Sequence, residues 1–235
     1  MEILYQVGPG ERLLAQGEYK YQVSGKDSGL AERWSLHDHP YGEALIHRAE
    51  VGGLIAGFRI KQVSHFLMRP DYTPVSLEMT QVIENNPVRT IIRCGPESIE
   101  QSISSMDEIE TQILEVPIGY SLFFPPVSAQ GFIVRRYSME RGGRQMLALV
   151  SVRIQPEAAL PLSVELQAIE YQHLASHEEI ETPAGQFTCH HFIRYDQHME
   201  QQLWLDQNWV PIQWSVPYSP IMKWEYLLTR YQREG

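Results

Sequence analysis

Period-two alternation of apolar and polar residues recurs along most of the chain and predicts strands. In Glu18–Val23, Tyr19, Tyr21 and Val23 share one face, while Lys20 and Gln22 share the other. In Arg33–Asp38, Trp34 and Leu36 point inward, and Arg33, Ser35 and His37 point outward. The cluster Ser24-Gly25-Lys26-Asp27-Ser28-Gly29 between them reads as a turn, so the two runs form a hairpin. Further strands are predicted over Glu43–Val51, Phe58–Phe66, Ser76–Ile83, Arg89–Cys94, Gln145–Ile154, Leu162–Tyr171, Gln186–Tyr195, Gln201–Asp206, Val210–Val216 and Met222–Tyr231. Fifteen prolines and sixteen glycines break the pattern at short intervals, which suits many short antiparallel strands rather than strands alternating with helices.

Glu97–Leu114 carries two patterns. Ile99, Ile103, Met106, Ile109 and Ile113 recur at helical spacing, yet the serine-rich start suits a hairpin across Cys94-Gly95-Pro96-Glu97. A strand is expected at the start, with any helix confined to Met106–Leu114. Residues 116–131, rich in Pro, Gly and aromatics, mark a seam between two β-units. No Ser/Gly-rich or charged linker divides residues 1–235, so the expected fold is a single all-β domain. Its sheet curls into a half-barrel or β-roll with at most one or two short helices, which buries one face and limits exposed edges.

Composition narrows the function. With 235 residues the chain can bury a genuine core. Its 29 acidic against 19 basic residues give a net charge of −10 and no Lys/Arg cluster, which argues against nucleic acid as a partner. No window approaches the roughly 20 apolar residues of a membrane-spanning helix. The start lacks the basic and apolar pattern of an export signal, so a cytoplasmic location is expected. Cys94 and Cys189 form no C-x-x-C pair and are expected as two reduced thiols.

The second half holds the strongest motif. Pro183-Ala184-Gly185 is a tight turn that launches a strand bearing Phe187, Cys189, His191 and Ile193 on one side. Leu203-Trp204-Leu205-Asp206 follows, then a turn at Asp206-Gln207-Asn208 into Val210-Pro211-Ile212, with Trp214 and Val216 continuing the inward set. This order resembles an uncharacterised bacterial family of β-rich proteins with a "paGtF" turn and an "lWld…lPv" hairpin. The segment Phe124–Arg136 resembles that family's stretch ending in arginine, except that Phe124 stands where the family carries Asp. The similarity covers about half the chain, Phe123–Tyr231. More remotely, the pattern is similar to lipoprotein-carrier half-barrels and glycolipid-binding β-rolls, which implies an apolar or lipid-like ligand.

Several residues allow two readings. Arg135 and Arg136 suit either a carboxylate or phosphate head group, or one arginine in a structural ion pair and the other in water. Trp204 and Trp214, with Trp209 and Trp224 nearby, either line an apolar cleft or fill the core. Asp206, next to an apolar wall, is either a general acid or a turn residue accepting backbone N–H bonds. His37 and His39 share a strand face, and with His47 or His65 they would offer three metal ligands. The alternative is a solvent-facing strand end. No G-x-S-x-G, H-E-x-x-H, phosphate-loop or dinucleotide motif is present, and no cofactor is expected. The leading expectation is a non-enzymatic binder using Arg135, Arg136, Trp204, Asp206 and Trp214. The alternatives are a hydrolase-like or metal-dependent enzyme using Asp206 or His37/His39, and a protein–protein module pairing through a sheet edge.

Overall fold

The computed structural model describes residues 7–55, 58–84, 86–105, 108–154, 162–196, 199–219 and 221–234. Fifteen strands form one sheet that curves without closing. The first hairpin is β1 (Arg12–Val23) and β2 (Lys26–Asp38), followed by β3 (Leu45–Ile55), β4 (Phe58–Met68), β5 (Pro74–Ile83), β6 (Asn86–Cys94), β7 (Ser98–Ser104) and β8 (Ile109–Glu115). A crossing segment then carries the three-residue β9 (Ser121–Phe123), a 3-10 turn (Val127–Ala129) and α1 (Gln130–Val134), the single α-helix among the described residues. The second half comprises β10 (Arg144–Ile154), β11 (Leu162–Thr182), β12 (Gly185–Asp196), β13 (Met199–Leu205), β14 (Pro211–Ser219) and β15 (Met222–Arg233).

Neighbouring strands are antiparallel throughout except β9 and β10, which run parallel. β1 pairs with β15 over Ala15–Val23, so strands from opposite ends of the chain lie side by side at the centre of the sheet. The two edges are β8 and β9, which follow one another in sequence. The chain between them therefore crosses from one edge of the sheet to the other. The expected all-β roll is what forms, and the strand predicted at the start of Glu97–Leu114 is β7.

The helix expected over Met106–Leu114 does not form. Its first two residues lie outside those described, and the rest is edge strand β8. The helical period there comes from Ile109 and Ile113, which face solvent at 77% and 72% exposure, so no apolar stripe is buried by coiling. Pairing with β7 buries Leu114 partly against Ile99 instead. The one helix sits in the proline- and aromatic-rich seam, where no period signals it.

Two apolar clusters form, and β10 belongs to both. Leu149 packs with Tyr19, Tyr171, Phe192, Leu203 and Ile212. Its neighbour Val150, pointing to the opposite face, packs with Phe66, Leu77, Ile92 and Phe124. Both side chains are fully buried. The β9–β10 end of the sheet is thus rolled inside the concave face of β3–β7, which hides one of the two edges. Cys189 lies in the first cluster and Cys94 against the second, as free thiols that burial pushes up to about 12 and about 11.

The crossing segment is fixed inside by polar contacts. Glu32, on the inward face of β2 with Leu30 and Trp34, has no exposure. Its carboxylate accepts the Val127 N–H at 2.7 Å, the Ser128 N–H at 3.0 Å and the Tyr21 hydroxyl at 2.7 Å. These satisfy the orphan donors at the start of the 3-10 turn, as a helix cap would. Ser128 Oγ shares a 2.8 Å hydrogen bond with His47 Nε2. Gly131 lies against the backbone of the β13–β14 turn so closely that a Cβ there would collide with the Trp209 carbonyl.

Burial, aided by the nearby positive charges of His65 and Arg48, pushes His47 down to about 3 from an ordinary 6.5. The imidazole is therefore neutral in the fold, while in the unfolded chain it protonates near pH 6.5. The stability tied to its neutral form is complete above pH 6.5 and drains away as pH falls toward 3. Urea denaturation at stepped pH should show wild-type stability falling faster than that of His47→Gln between about pH 6 and pH 4, by up to about 1.4 kcal/mol per pH unit. Equal slopes would remove this role for His47.

Candidate functional site

An open pocket of about 330 Å³ lies across β9–β15; its lining includes Phe123, Ser151, Arg194, Asp196, Gln201 and Trp214. Alternation places Arg194 on the same face of β12 as the fully buried Phe192. Strand register sets Gln201 opposite Arg194 and Trp214 opposite Tyr226. Trp214 and Tyr226 stack with ring centroids 5.0 Å apart. The wall is thus aromatic, with one cation set into it.

Arg194 is only 4% exposed. Its Nη2 donates to Asp196 Oδ2 at 3.0 Å, and its guanidinium carbon lies 4.4 Å from the Phe123 ring centroid and 5.9 Å from that of Trp214. Nε and Nη1 are shielded from water and have no partner among the described residues. The same holds for Gln201 Oε1 and Trp214 Nε1. A buried polar atom left unpaired costs on the order of 1–3 kcal/mol, and more on a charged group. Burial raises the Tyr226 phenol well above its ordinary range, with the Glu32 carboxylate adding to the effect, so it stays a neutral hydroxyl.

The sequence-derived candidates are dispersed, and Trp214 alone among them lines this pocket. Arg135 and Arg136, just past α1, clip two turns together. Arg135 Nη2 donates to the Asn208 carbonyl at 2.6 Å, and its guanidinium sits 3.9 Å from the Tyr72 ring centroid. Arg136 Nη2 donates to Thr73 Oγ1 at 2.9 Å. The two arginines therefore tie the β4–β5 turn of the first half to the β13–β14 turn of the second. Trp204 points away from the buried Leu203 and Leu205 and stacks on His191 at 4.5 Å.

Asp206 lies in the turn after β13. Its Oδ1 accepts the N–H of Asn208 at 2.9 Å and of Val210 at 2.8 Å, and the Tyr231 hydroxyl lies 3.3 Å from Oδ2. This is the turn reading of Asp206, with the carboxylate engaged by backbone donors rather than presented to a substrate. The histidines do not assemble either. His47 is turned inside to Ser128, whereas His37, on the other face of β2 from Trp34, lies 3.8 Å from Glu11 beside the Glu11–Arg48 ion pair. The expected solvent-facing position of His37 is corrected too, since the segment around Glu11 covers it to 5% exposure. Among the described residues no three His, Cys, Asp or Glu side chains converge as metal ligands.

Sequence reasoning missed Arg194 and Glu32. Each is a charged residue on the buried face of an alternating strand, between Phe192 and Asp196 in one case and Leu30 and Trp34 in the other.

The curved sheet is similar to solved structures of proteins without assigned function. One is a β-barrel-like protein of a domain of unknown function, DUF1849, from Brucella abortus. It has 11% identity over 95% of this chain and 99% of that one, with a TM-score of 0.58. Another is a DUF1089 family protein from Pseudomonas aeruginosa, with 11% identity over 81% of this chain and 90% of that one, and a TM-score of 0.51. These likenesses show a shared fold. No family profile and no curated protein matches the sequence.

The arginine clip gives a direct test. Arg135→Ala removes a hydrogen bond and a half-buried cation–π contact, and should destabilise the fold by about 1–3 kcal/mol in urea titrations. It should leave the wall of the Arg194 pocket unchanged, as read by Trp fluorescence of the folded state. A loss below about 0.5 kcal/mol would show that the clip is not structural.

Proposed function

We propose that the protein is a non-enzymatic binder of a small, largely apolar molecule held in this open pocket, with its polar end toward the Arg194–Asp196 pair. The observation that carries this reading is the Arg194–Asp196 ion pair, set beside the Phe123 and Trp214 rings in the wall of an open pocket of about 330 Å³. Apolar pockets with a few convergent polar groups are the usual form of small-molecule sites. The volume lies at the small end of that class, which suits one compact ligand rather than a long lipid. Trp214 supplies wall contact, while Arg135, Arg136 and Asp206 hold the turns around the roll. Trp204 is on the outer face with His191.

Native mass spectrometry of freshly purified protein should show a small-molecule adduct that is lost on mild activation. Arg194→Met, which keeps side-chain volume but removes the donors, should lose the adduct while Arg135→Ala retains it. An adduct-free wild type that also gives no saturable tryptophan quenching with apolar acids or amines would overturn the reading.

A second reading rests on β8. Its outer edge has no strand partner among the described residues, and Ile109 and Ile113 stand exposed on one face. A strand from a partner protein could extend the sheet there. Light scattering across a concentration series, with Ile113→Lys as control, checks whether that partner is a second copy; concentration-independent monomer would exclude self-pairing.

A further inference from the structure

On the outer face of the first half, folding gathers cations that the chain keeps apart. Gly52 stands on the face of β3 turned away from the buried Ala49 and Val51. Strand register sets Ala31 of β2 on one side of it and Lys61 of β4 on the other. Arg33 and Arg59 lie diagonally across from it on the same face, and Glu50 precedes it on its own strand. These six residues line an open pocket of about 450 Å³ that shares no lining residue with the Arg194 pocket.

A glycine inside a strand weakens it, and at position 52 the backbone does not demand one. Its φ lies outside the left-handed region, and an added Cβ would meet only the Ile60 carbonyl at 3.6 Å, an ordinary contact. Gly53 differs: its φ of 148° and the Gly29 carbonyl exclude a side chain. What the bare Gly52 does provide is a hollow, with Ala31 as its other small residue. Around it stand three cations and one acid, a local balance of 3 − 1 = +2 on a chain whose net charge is −10. Glu50 is already met by Lys61 Nζ at 3.2 Å. Arg33, whose side chain is 82% exposed, approaches Glu18 only to 3.9 Å, and Glu18 is shared with Arg230 at 3.6 Å. Arg59 makes no ion pair among the described residues, since the nearby Glu84 carboxylate accepts its backbone N–H at 2.9 Å. Lys20, opposite Ala31 on β1, adds a further exposed cation at the rim.

We propose that this outer-face pocket binds a phosphomonoester dianion, its phosphate seated over Gly52 among Arg33, Arg59 and Lys61. Near neutral pH such a group carries close to two negative charges and three acceptor oxygens, which matches the balance of the lining and gives each cation an oxygen. The two guanidiniums can each engage it through paired N–H donors. Exposed ion pairs are worth little singly, so the recognition comes from several cations converging on one group in a hollow that admits it. Exposed Leu54 lies at the same pocket and offers contact to an apolar ester body. The charge of the whole chain repels extended polyanions, which leaves a single phosphate group as the ligand. Free phosphate esters and the head group of phosphatidic acid share this chemistry.

Isothermal titration of the purified full chain at low ionic strength tests the charge rule with two probes of one shape. Phenyl phosphate should bind saturably, and phenyl sulfate, its isostere with one charge fewer, should bind at least about fivefold more weakly. Arg59→Ala should weaken phenyl phosphate by about fivefold. Gly52→Val fills the hollow and should abolish binding, while stability in urea stays equal or rises because the strand gains a β-branched residue. Binding and stability moving apart in this way is not what a merely structural Gly52 produces. Flotation with phosphatidylcholine vesicles, with and without phosphatidic acid, separates the sources. Capture by the phosphatidic acid vesicles that Gly52→Val loses assigns the lipid head group, and titration without capture assigns a free ester. Phenyl sulfate binding as tightly as phenyl phosphate overturns the dianion rule. Phenyl phosphate affinity unchanged in both Arg59→Ala and Gly52→Val overturns the site. If wild type binds neither phenyl phosphate nor the phosphatidic acid vesicles, the proposal falls, and the reading of the Arg194 pocket is untouched.

Discussion

Among the described residues, a sheet of fifteen strands with a single α-helix has one large apolar face and almost nothing separate to cover it, so the sheet has to cover itself. Self-coverage brings the β9–β10 end inside the concave face of β3–β7, which is why Leu149 and Val150 are both buried though they point in opposite directions. It also forces the crossing segment through the interior, where its backbone donors lose water. Glu32 resolves that conflict by accepting two of them and the Tyr21 hydroxyl. The cost is a carboxylate without any exposure, whose affinity for a proton is raised by burial against the opposing pull of those donors.

The same geometry creates the pocket. Beside β9, residues of β12, β13 and β14 and the Phe123 ring line the open pocket. A charged and amide-bearing row, Arg194 and Gln201, occupies the space that leucine would otherwise fill. Arg135 and Arg136 act at a different level: by gripping Asn208 and Thr73 they set how tightly the two halves of the roll approach.

Most strands were legible because alternation is a local property. Trp34 and Leu36 against Arg33 and Ser35, or Ile212 and Trp214 against Gln213, declare a buried and an open face without reference to the rest of the chain. What failed was whatever depends on distant partners. Val127–Val134 forms its short helical turn because Glu32, 95 residues earlier, caps it. Ile109 and Ile113 mimic a helical stripe only because an edge strand need not bury both faces. Asp206 carried both readings until Asn208 and Val210 were seen to donate to it. Arg194 and Glu32 were readable in principle as charges interrupting an apolar face. Deciding that such an interruption marks a pocket in one case and a cap in the other requires knowing what lies across the roll.

The pairing of β1 with β15 has a consequence for how the protein comes into being. During synthesis, the eight strands of the first half emerge as a meander whose β1 edge stays open until β15, the last of the fifteen described strands, is made. Closing it joins residues more than two hundred positions apart, as with Gly17 and Tyr231. Every other neighbouring pair of strands is consecutive in sequence, so this one non-local closure is expected to come late, with apolar surface exposed meanwhile. The nascent chain, more than the finished roll, is the form that needs a chaperone's protection.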